Sequence, residues 1–336
     1  MKISILGAGT WGTALAILLA NNQHEVTIWS AVQKEVMELS EHRTEIKNLP
    51  GAILPESVVV TSNLEEALKE PELIVIAVAS VYVRTTAKRI SPMIREGQII
   101  VNVAKGIEEA TLKTLCEVIE EEIPQAQVAV LSGPSHAEEV SRKIPTTIVA
   151  GARKKEVAKL IQDVFMNKFF RVYTSPDMIG IELGGSLKNV IALAAGVVDG
   201  LGCGDNTKAA LMTRGIVEIA RLGIEMGGKY ETFSGLSGMG DLMVTCTSKH
   251  SRNRNAGFLI GQGKTAKEAM EEVNQVVEGV YSAKAALKLG QKYNVELPII
   301  EKVNEVLFDG KTAKEAMLDL LIREKTEESS SLAWEE

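Results

Sequence analysis

Apolar and polar positions follow two regimes along the chain. Up to about residue 175, short apolar runs rich in Ile, Val and Leu alternate with longer stretches of helical spacing. The runs ISIL at 3–6, EVTIW at 25–29, VVVT at 58–61, LIVIAVAS at 73–80, IIVNVA at 99–104, VAVLS at 128–132, TTIVAG at 146–151 and FRVYT at 170–174 read as strands. Stretches 13–20, 63–70, 81–94, 111–123 and 155–165 between them read as helices. Apolar strands joined by helices are buried on both faces, which favours parallel pairing. The expected fold class is α/β, a doubly wound open sheet whose ligands lie outside the carboxyl ends of the strands.

After about residue 178 the strand-like runs stop. Residues 179–201, IGIELGGSLKNVIALAAGVVDGL, form a long apolar helical stretch dotted with small residues. Its glycines are costly in an exposed helix, so the pattern predicts close packing against another helix. A second long helix is expected over 206–227 and shorter ones to about 325. This half is expected to be all-α. The octapeptide GKTAKEAM occurs at 263–270 and again at 310–317. Each copy carries a capping box, Thr265 with Glu268 and Thr312 with Glu315, and reads as two similar helix starts rather than a repeat architecture. The end of the chain, TEESSSLAWEE, is acidic and serine-rich with Leu332 and Trp334 as its only apolar anchors, and reads as a loose tail over 326–336.

The first strand runs directly into GAGTWGTALA, with Gly7, Gly9 and Gly12 at the spacing G-x-G-x-x-G and a helix and a second strand behind them. That context is the dinucleotide-binding one. Gly7 permits the tight turn, Gly9 lets the backbone approach a pyrophosphate, and Gly12 lets the helix pack on the strand. The anion then meets free N–H groups and the positive end of the helix dipole. The expected organisation is a Rossmann-like dinucleotide-binding domain over 1–178, followed by a helical domain over 179–325.

Composition agrees with a soluble globular enzyme. The chain has 336 residues, 45% hydrophobic, and a net charge of −7 without a basic tract, which disfavours nucleic acid and anionic membranes as partners. Cys116, Cys203 and Cys246 are scattered and form no C-x-x-C, and the four histidines form no cluster, so neither a disulfide framework nor a metal site is expected. A reducing cytoplasm is the expected compartment. The N-terminus lacks signal-peptide organisation, and the longest uninterrupted apolar runs are too short to span a bilayer.

Four segments resist a packing explanation. VAKGIEE places Lys105 just past a strand end. LSGPSHAEEV, also after a strand, offers Gly133, Ser135 and nearby backbone to an anion. GGSLKNVIALAAG puts Lys188 and Asn189 inside an apolar helix, where buried lysines are rare unless paired. LSGMGDLMVTCTSKHSRNRNAG gathers Asp241, Thr245, Lys249, Ser251, Arg252, Asn253 and Arg254, a basic cluster in an acidic protein. A lysine in a partly dry pocket exchanges protons near neutrality, an acid such as Asp241 holds the ammonium, and Arg252 grips a phosphate by a planar fork. The implied substrate is small, phosphorylated and interconverts between alcohol and ketone.

With these segments in this order, together with VVEG at 276–279, the chain closely resembles the bacterial NAD(P)-dependent glycerol-3-phosphate dehydrogenases from Met1 to about Arg323. The resemblance implies interconversion of sn-glycerol 3-phosphate and dihydroxyacetone phosphate for glycerophospholipid synthesis, by a cytoplasmic homodimer using NADPH or NADH. It implies Lys188 as the proton-transferring residue, with Lys105 near both cofactor and substrate and Asp241 beside them. It implies substrate contacts from Gly133, Ser135, Asp241, Ser251, Arg252 and Asn253, and cofactor contacts from Thr10, Trp11, Ala137, Arg252, Val276 and Glu278 besides the glycines. One departure concerns the end of the second strand. Members of the family often carry W-A-R there, whereas this chain reads IWSAVQKE. The pattern shows neither an acid for a ribose 2′-hydroxyl nor an arginine for a 2′-phosphate. Ser30 and Lys34 are the weak substitutes, and the missing acid favours NADPH. Two alternatives remain: a β-hydroxyacid or 6-phosphogluconate-type dehydrogenase, against which SRNRN argues, and a non-catalytic dinucleotide sensor, which has no need of Lys188 and Asp241 together.

Overall fold

The structure, a computed structural model, describes residues 1–44, 49–325, 327–328 and 334. The expectation of a loose tail therefore falls mostly outside the described residues. Eight strands form one sheet: β1 (Lys2–Leu6), β2 (Glu25–Trp29), β3 (Val59–Thr61), β4 (Leu73–Ile76), β5 (Ile99–Asn102), β6 (Gln127–Ser132), β7 (Thr146–Ala152) and β8 (Phe170–Ser175). Their order is β3-β2-β1-β4-β5-β6-β7-β8. The first six are parallel, in the order that defines a Rossmann sheet.

The sheet is not parallel throughout. β7 runs antiparallel to β6, and β8 is parallel to β7. The cause lies in the connection. Between β6 and β7 stands only the five-residue helix Ala137–Ser141. A parallel crossover needs an element long enough to carry the chain back along the sheet, and five residues cannot do so. β7 therefore starts at the end where β6 finishes.

Apolar residues cover both faces. Ile3, Ile5, Val26, Ile28 and Leu73 pack with the helix Thr10–Asn21 on one side. Leu6, Trp29, Ile74, Ile76 and Ile100 pack with the helices Val83–Ile90 and Leu115–Glu122 on the other. From Met178 onward the elements formed by the described residues are all helices. The helix Met178–Gly200 runs through the middle of this part and is buried along nearly its whole length. By length and composition alone it could cross a membrane, unlike the shorter uninterrupted runs read from the sequence, yet 94% of its most apolar window is buried inside the protein.

Its glycines do what the pattern predicts. A Cβ added at Gly196 would lie 2.0 Å from the Arg254 carbonyl oxygen, and one at Gly257 would lie 1.9 Å from the Leu193 oxygen. The helices Met178–Gly200 and Arg252–Gly261 thus meet almost backbone to backbone. Both capping boxes form, at Thr265 with Glu268 and Thr312 with Glu315.

Candidate active site

The glycine loop fits a dinucleotide. Gly7 has φ +121°, and a Cβ there would lie 2.6 Å from the Ala77 carbonyl carbon. A Cβ at Gly12 would lie 1.9 Å from the Gly7 oxygen, so the helix seats on the turn only with glycine. Nothing lies within 4 Å of a Cβ built on Gly9, which leaves that stretch of backbone open to a ligand. Gly9 is also the N-cap of Thr10–Asn21, whose N-terminus has neither a side-chain cap nor an acid in its first turn. The positive end of the helix is left for an anion.

Beyond the loop opens a cleft of about 890 Å³ between the carboxyl ends of the strands and the helical part. Of the residues singled out in the sequence, Gly9, Thr10, Trp11, Lys105, Ser135, Ala137, Lys188, Asp241, Ser251, Arg252, Asn253, Val276 and Glu278 all line it. Gly7, Gly12 and Gly133 do not; they shape its walls. The topology brings together stretches that are up to 269 residues apart in the chain, from Gly9 to Glu278.

At the centre two lysines share one acid. Lys188 Nζ lies 3.2 Å from Asp241 Oδ1 and donates to Thr245 Oγ1 at 2.6 Å. Lys105 Nζ lies 2.7 Å from Asp241 Oδ2 and donates to the Gly133 carbonyl at 3.1 Å. Asp241 and Lys188 are buried, with side chains 2% and 6% exposed, while Lys105 is 21% exposed. Burial lowers the Lys188 pKa to about 8; the charge of Lys105 adds to that and the Asp241 carboxylate opposes it. His136 also lines the cleft. Burial, aided by the two lysines, holds it down to about 4, so its imidazole is neutral at physiological pH.

The long helix fixes both lysines. Two residues before Lys188, Ser186 Oγ donates to the Gly106 carbonyl at 3.0 Å. A turn earlier, Glu182 Oε1 accepts from the Cys116 N–H at 2.9 Å and from Asn102 Nδ2 at 3.4 Å. Asn102 in turn accepts from the Ala104 N–H at 3.1 Å, so the loop that carries Lys105 is held against this helix face.

The other end of the cleft suits an anion. Ser251 caps the helix Arg252–Gly261, its hydroxyl accepting from the Arg254 N–H. The Arg252 and Asn253 amides, at the first two positions, have no partner within the helix. The exposed Arg252 guanidinium makes no hydrogen bond or ion pair among the described residues, whereas Arg254 pairs with Asp199 at 2.6 Å. Asn253 is held on both sides, donating to Asn189 Oδ1 at 3.0 Å and accepting from the Gly279 N–H at 2.8 Å. Glu278 accepts from Ser80 Oγ at 2.5 Å, which links the turn after β4 to the helix Glu278–Tyr293.

Sequence reasoning passed over Ser80 and His136. Ser80 stands just past β4, the position where a parallel sheet presents its ligands, and that was the available signal. His136 sits in the quoted SGPSH stretch as one of only four histidines. One reading is corrected. The pattern IWSAVQKE places no acid at the end of β2, but Glu35 folds back so that its carboxylate accepts from Ser30 Oγ at 2.5 Å. The unforeseen helix Gln33–His42 begins at once after the strand and turns Glu35 toward it.

Known proteins share this architecture. The N-terminal family model for NAD-dependent glycerol-3-phosphate dehydrogenase matches residues 2–158, and the C-terminal one matches residues 177–318. A glycerol-3-phosphate dehydrogenase (NAD(P)+) of Agathobacter rectalis is 61% identical over 333 residues, covering 99% of both chains. One from Fusobacterium nucleatum is 59% identical over 333 residues, covering 98% of this chain and 99% of its own. The crystal structure of the Coxiella burnetii glycerol-3-phosphate dehydrogenase superposes with a TM-score of 0.93 at 38% identity, covering 96% of this chain and 99% of its own. With both halves matched, the chain belongs to the NAD(P)H-using glycerol-3-phosphate dehydrogenase family.

Proposed function

We propose that this chain interconverts dihydroxyacetone phosphate and sn-glycerol 3-phosphate. The observation that carries the reading is the Lys188–Asp241–Lys105 cluster, which shares one cleft with the glycine loop and with Arg252 and Asn253. The dinucleotide-binding unit is taken as residues 1–178 and the helical, substrate-holding unit as 179–325. When bound, the reduced nicotinamide supplies the hydride that turns a carbonyl into an alkoxide.

The chain's own residues do the rest. The Lys188 ammonium, oriented by Asp241 and Thr245, donates a proton to the developing alkoxide and, as the neutral amine, takes it back in alcohol oxidation. With a pKa of about 8, both forms are accessible near neutrality. Lys105 adds positive charge on the same side and stabilises the oxyanion. Asp241 keeps two like charges close together. The Arg252 fork and the N-terminal amides of its helix hold the phosphate. Gly133 supports this arrangement through its carbonyl on Lys105, and Ser135 donates to that same carbonyl at 2.9 Å. Neutral His136 lines the wall beside the lysines without adding a competing charge.

The finer reading, a cytoplasmic homodimer that supplies glycerophospholipid synthesis, draws on the family resemblance and on three cysteines that are all free. Oxidation of NADH or NADPH on addition of dihydroxyacetone phosphate tests the core of the proposal. The expected result is turnover dependent on the phosphorylated ketone; a protein that binds nucleotide yet leaves it unoxidised would overturn it.

A further inference from the structure

The carboxyl end of β2 carries a carboxylate that the linear pattern conceals. The Trp29 carbonyl, last in β2, accepts from the Gly7 N–H at 2.8 Å, so this strand end lies against the first residue of the glycine loop. Ser30 continues the strand's course: it is buried, and its N–H donates to the Thr61 carbonyl at 3.2 Å. Its hydroxyl accepts from the Val32 N–H at 3.0 Å and donates to Glu35 Oε2 at 2.5 Å. The carboxylate of a residue five positions downstream thereby stands at the tip of β2. In a Rossmann sheet that is where an acid takes the ribose 2′-hydroxyl of a dinucleotide.

Glu35 does not cap its own helix. The N-cap of Gln33–His42 is Val32, without a side-chain cap, and the partner of the Glu35 carboxylate is the Ser30 hydroxyl rather than a backbone amide. Among the described residues it forms no ion pair. The same local device recurs at the end of β3, where Thr61 Oγ1 donates to Glu66 Oε2 at 2.5 Å and accepts from the Asn63 N–H at 3.0 Å. Thr61 lies one strand further from the glycine loop. The turn is therefore a general way to end a strand in this protein, and proximity to Gly7 is what distinguishes the β2 copy.

Resting on the dinucleotide reading above, we propose that Glu35 selects NADH over NADPH. Its carboxylate offers an acceptor to a 2′-hydroxyl and meets a 2′-phosphate with like charge, an element of repulsion as well as attraction. This is the reverse of the preference that the missing acid suggested in the sequence.

The test is equilibrium binding, followed by nucleotide fluorescence without substrate, for the native protein and the variants Glu35→Gln, Glu35→Lys and Glu66→Gln. The native protein is expected to bind NADH at least about tenfold more tightly than NADPH. Glu35→Gln should bring the two near parity, chiefly by tightening NADPH, and Glu35→Lys should invert the order. Glu66→Gln, which alters the matching turn on β3, should leave the ratio unchanged. A native protein that binds NADPH as tightly as NADH overturns the proposal, as does an unchanged ratio in Glu35→Gln or an equal shift in Glu66→Gln. Turnover of dihydroxyacetone phosphate is measured separately: the expected binding ratio without turnover would sink the catalytic reading and leave Glu35 as the selector.

Discussion

Lys188 has a mechanism to perform only because of its surroundings. An ordinary lysine is fully charged at neutral pH and gives up its proton reluctantly; burial brings this one to about 8. Ketone reduction needs the ammonium, so kcat/KM for dihydroxyacetone phosphate should fall as pH rises through about 8, while alcohol oxidation should rise over the same interval. Steady-state profiles in both directions check this, and parallel curves would separate the limb from Lys188. Replacing Lys188 with Met should leave folding and nucleotide binding intact and lower turnover by about 10²- to 10⁴-fold. Asp241→Asn makes a signed prediction. The carboxylate is what opposes burial and Lys105, so its loss should carry the Lys188 limb to lower pH and weaken reduction at pH 7. An upward move of the limb would contradict this account of the charge balance.

At the scale of elements, the contact between the helices Met178–Gly200 and Arg252–Gly261 sets the distance from proton donor to phosphate site. Gly257→Ala would place a methyl 1.9 Å from the Leu193 carbonyl oxygen, and backbone cannot yield there as a flexible side chain would. The expected cost is about 1–3 kcal/mol in a thermal or denaturant melt, with a loss of turnover as Asn253 leaves Asn189. Native stability in this variant would mean that the helices can separate freely. The N-terminus of the second helix carries its own test. Charged hydrogen bonds contribute about 1.5–3 kcal/mol each, so Arg252→Ala should cost on the order of 10- to 1000-fold in kcat/KM for dihydroxyacetone phosphate. Reduction of unphosphorylated dihydroxyacetone should hardly change. Lysine should rescue in part, restoring charge without the planar fork. Equal losses for both ketones, with weaker nucleotide binding, would assign Arg252 to the dinucleotide instead.

At the scale of the molecule, the cleft is assembled from both halves of the chain, so a nucleotide bound there should stabilise the whole. NADH at a hundredfold its Kd should add about 2.7 kcal/mol, read as a rise in Tm that saturates with ligand; a Tm indifferent to NADH would place binding elsewhere or nowhere. The sequence by itself determined the strands, the glycine turn, the long helix and the cleft residues in SGPSH, LKN and SRNRN, because each is a local matter: apolar periodicity, capping chemistry, or a polar residue where packing calls for an apolar one. The same locality explains the capping boxes at Thr265 and Thr312, which formed as written. Only the tertiary structure decided the rest. The antiparallel turn-back at β7 depends on a helix too short to cross the sheet. The shared hold of Asp241 on Lys105 and Lys188 joins residues 136 and 53 positions apart, and no spacing announces it. The link from Ser80 to Glu278 spans 198 positions. Glu35 is the plainest case: five residues from Ser30, it reads as an ordinary helical surface acid, and a turn of three residues brings its charge to the strand tip beside the glycine loop. Periodicity reports which face of an element is buried; which charges meet is fixed only when the elements pack.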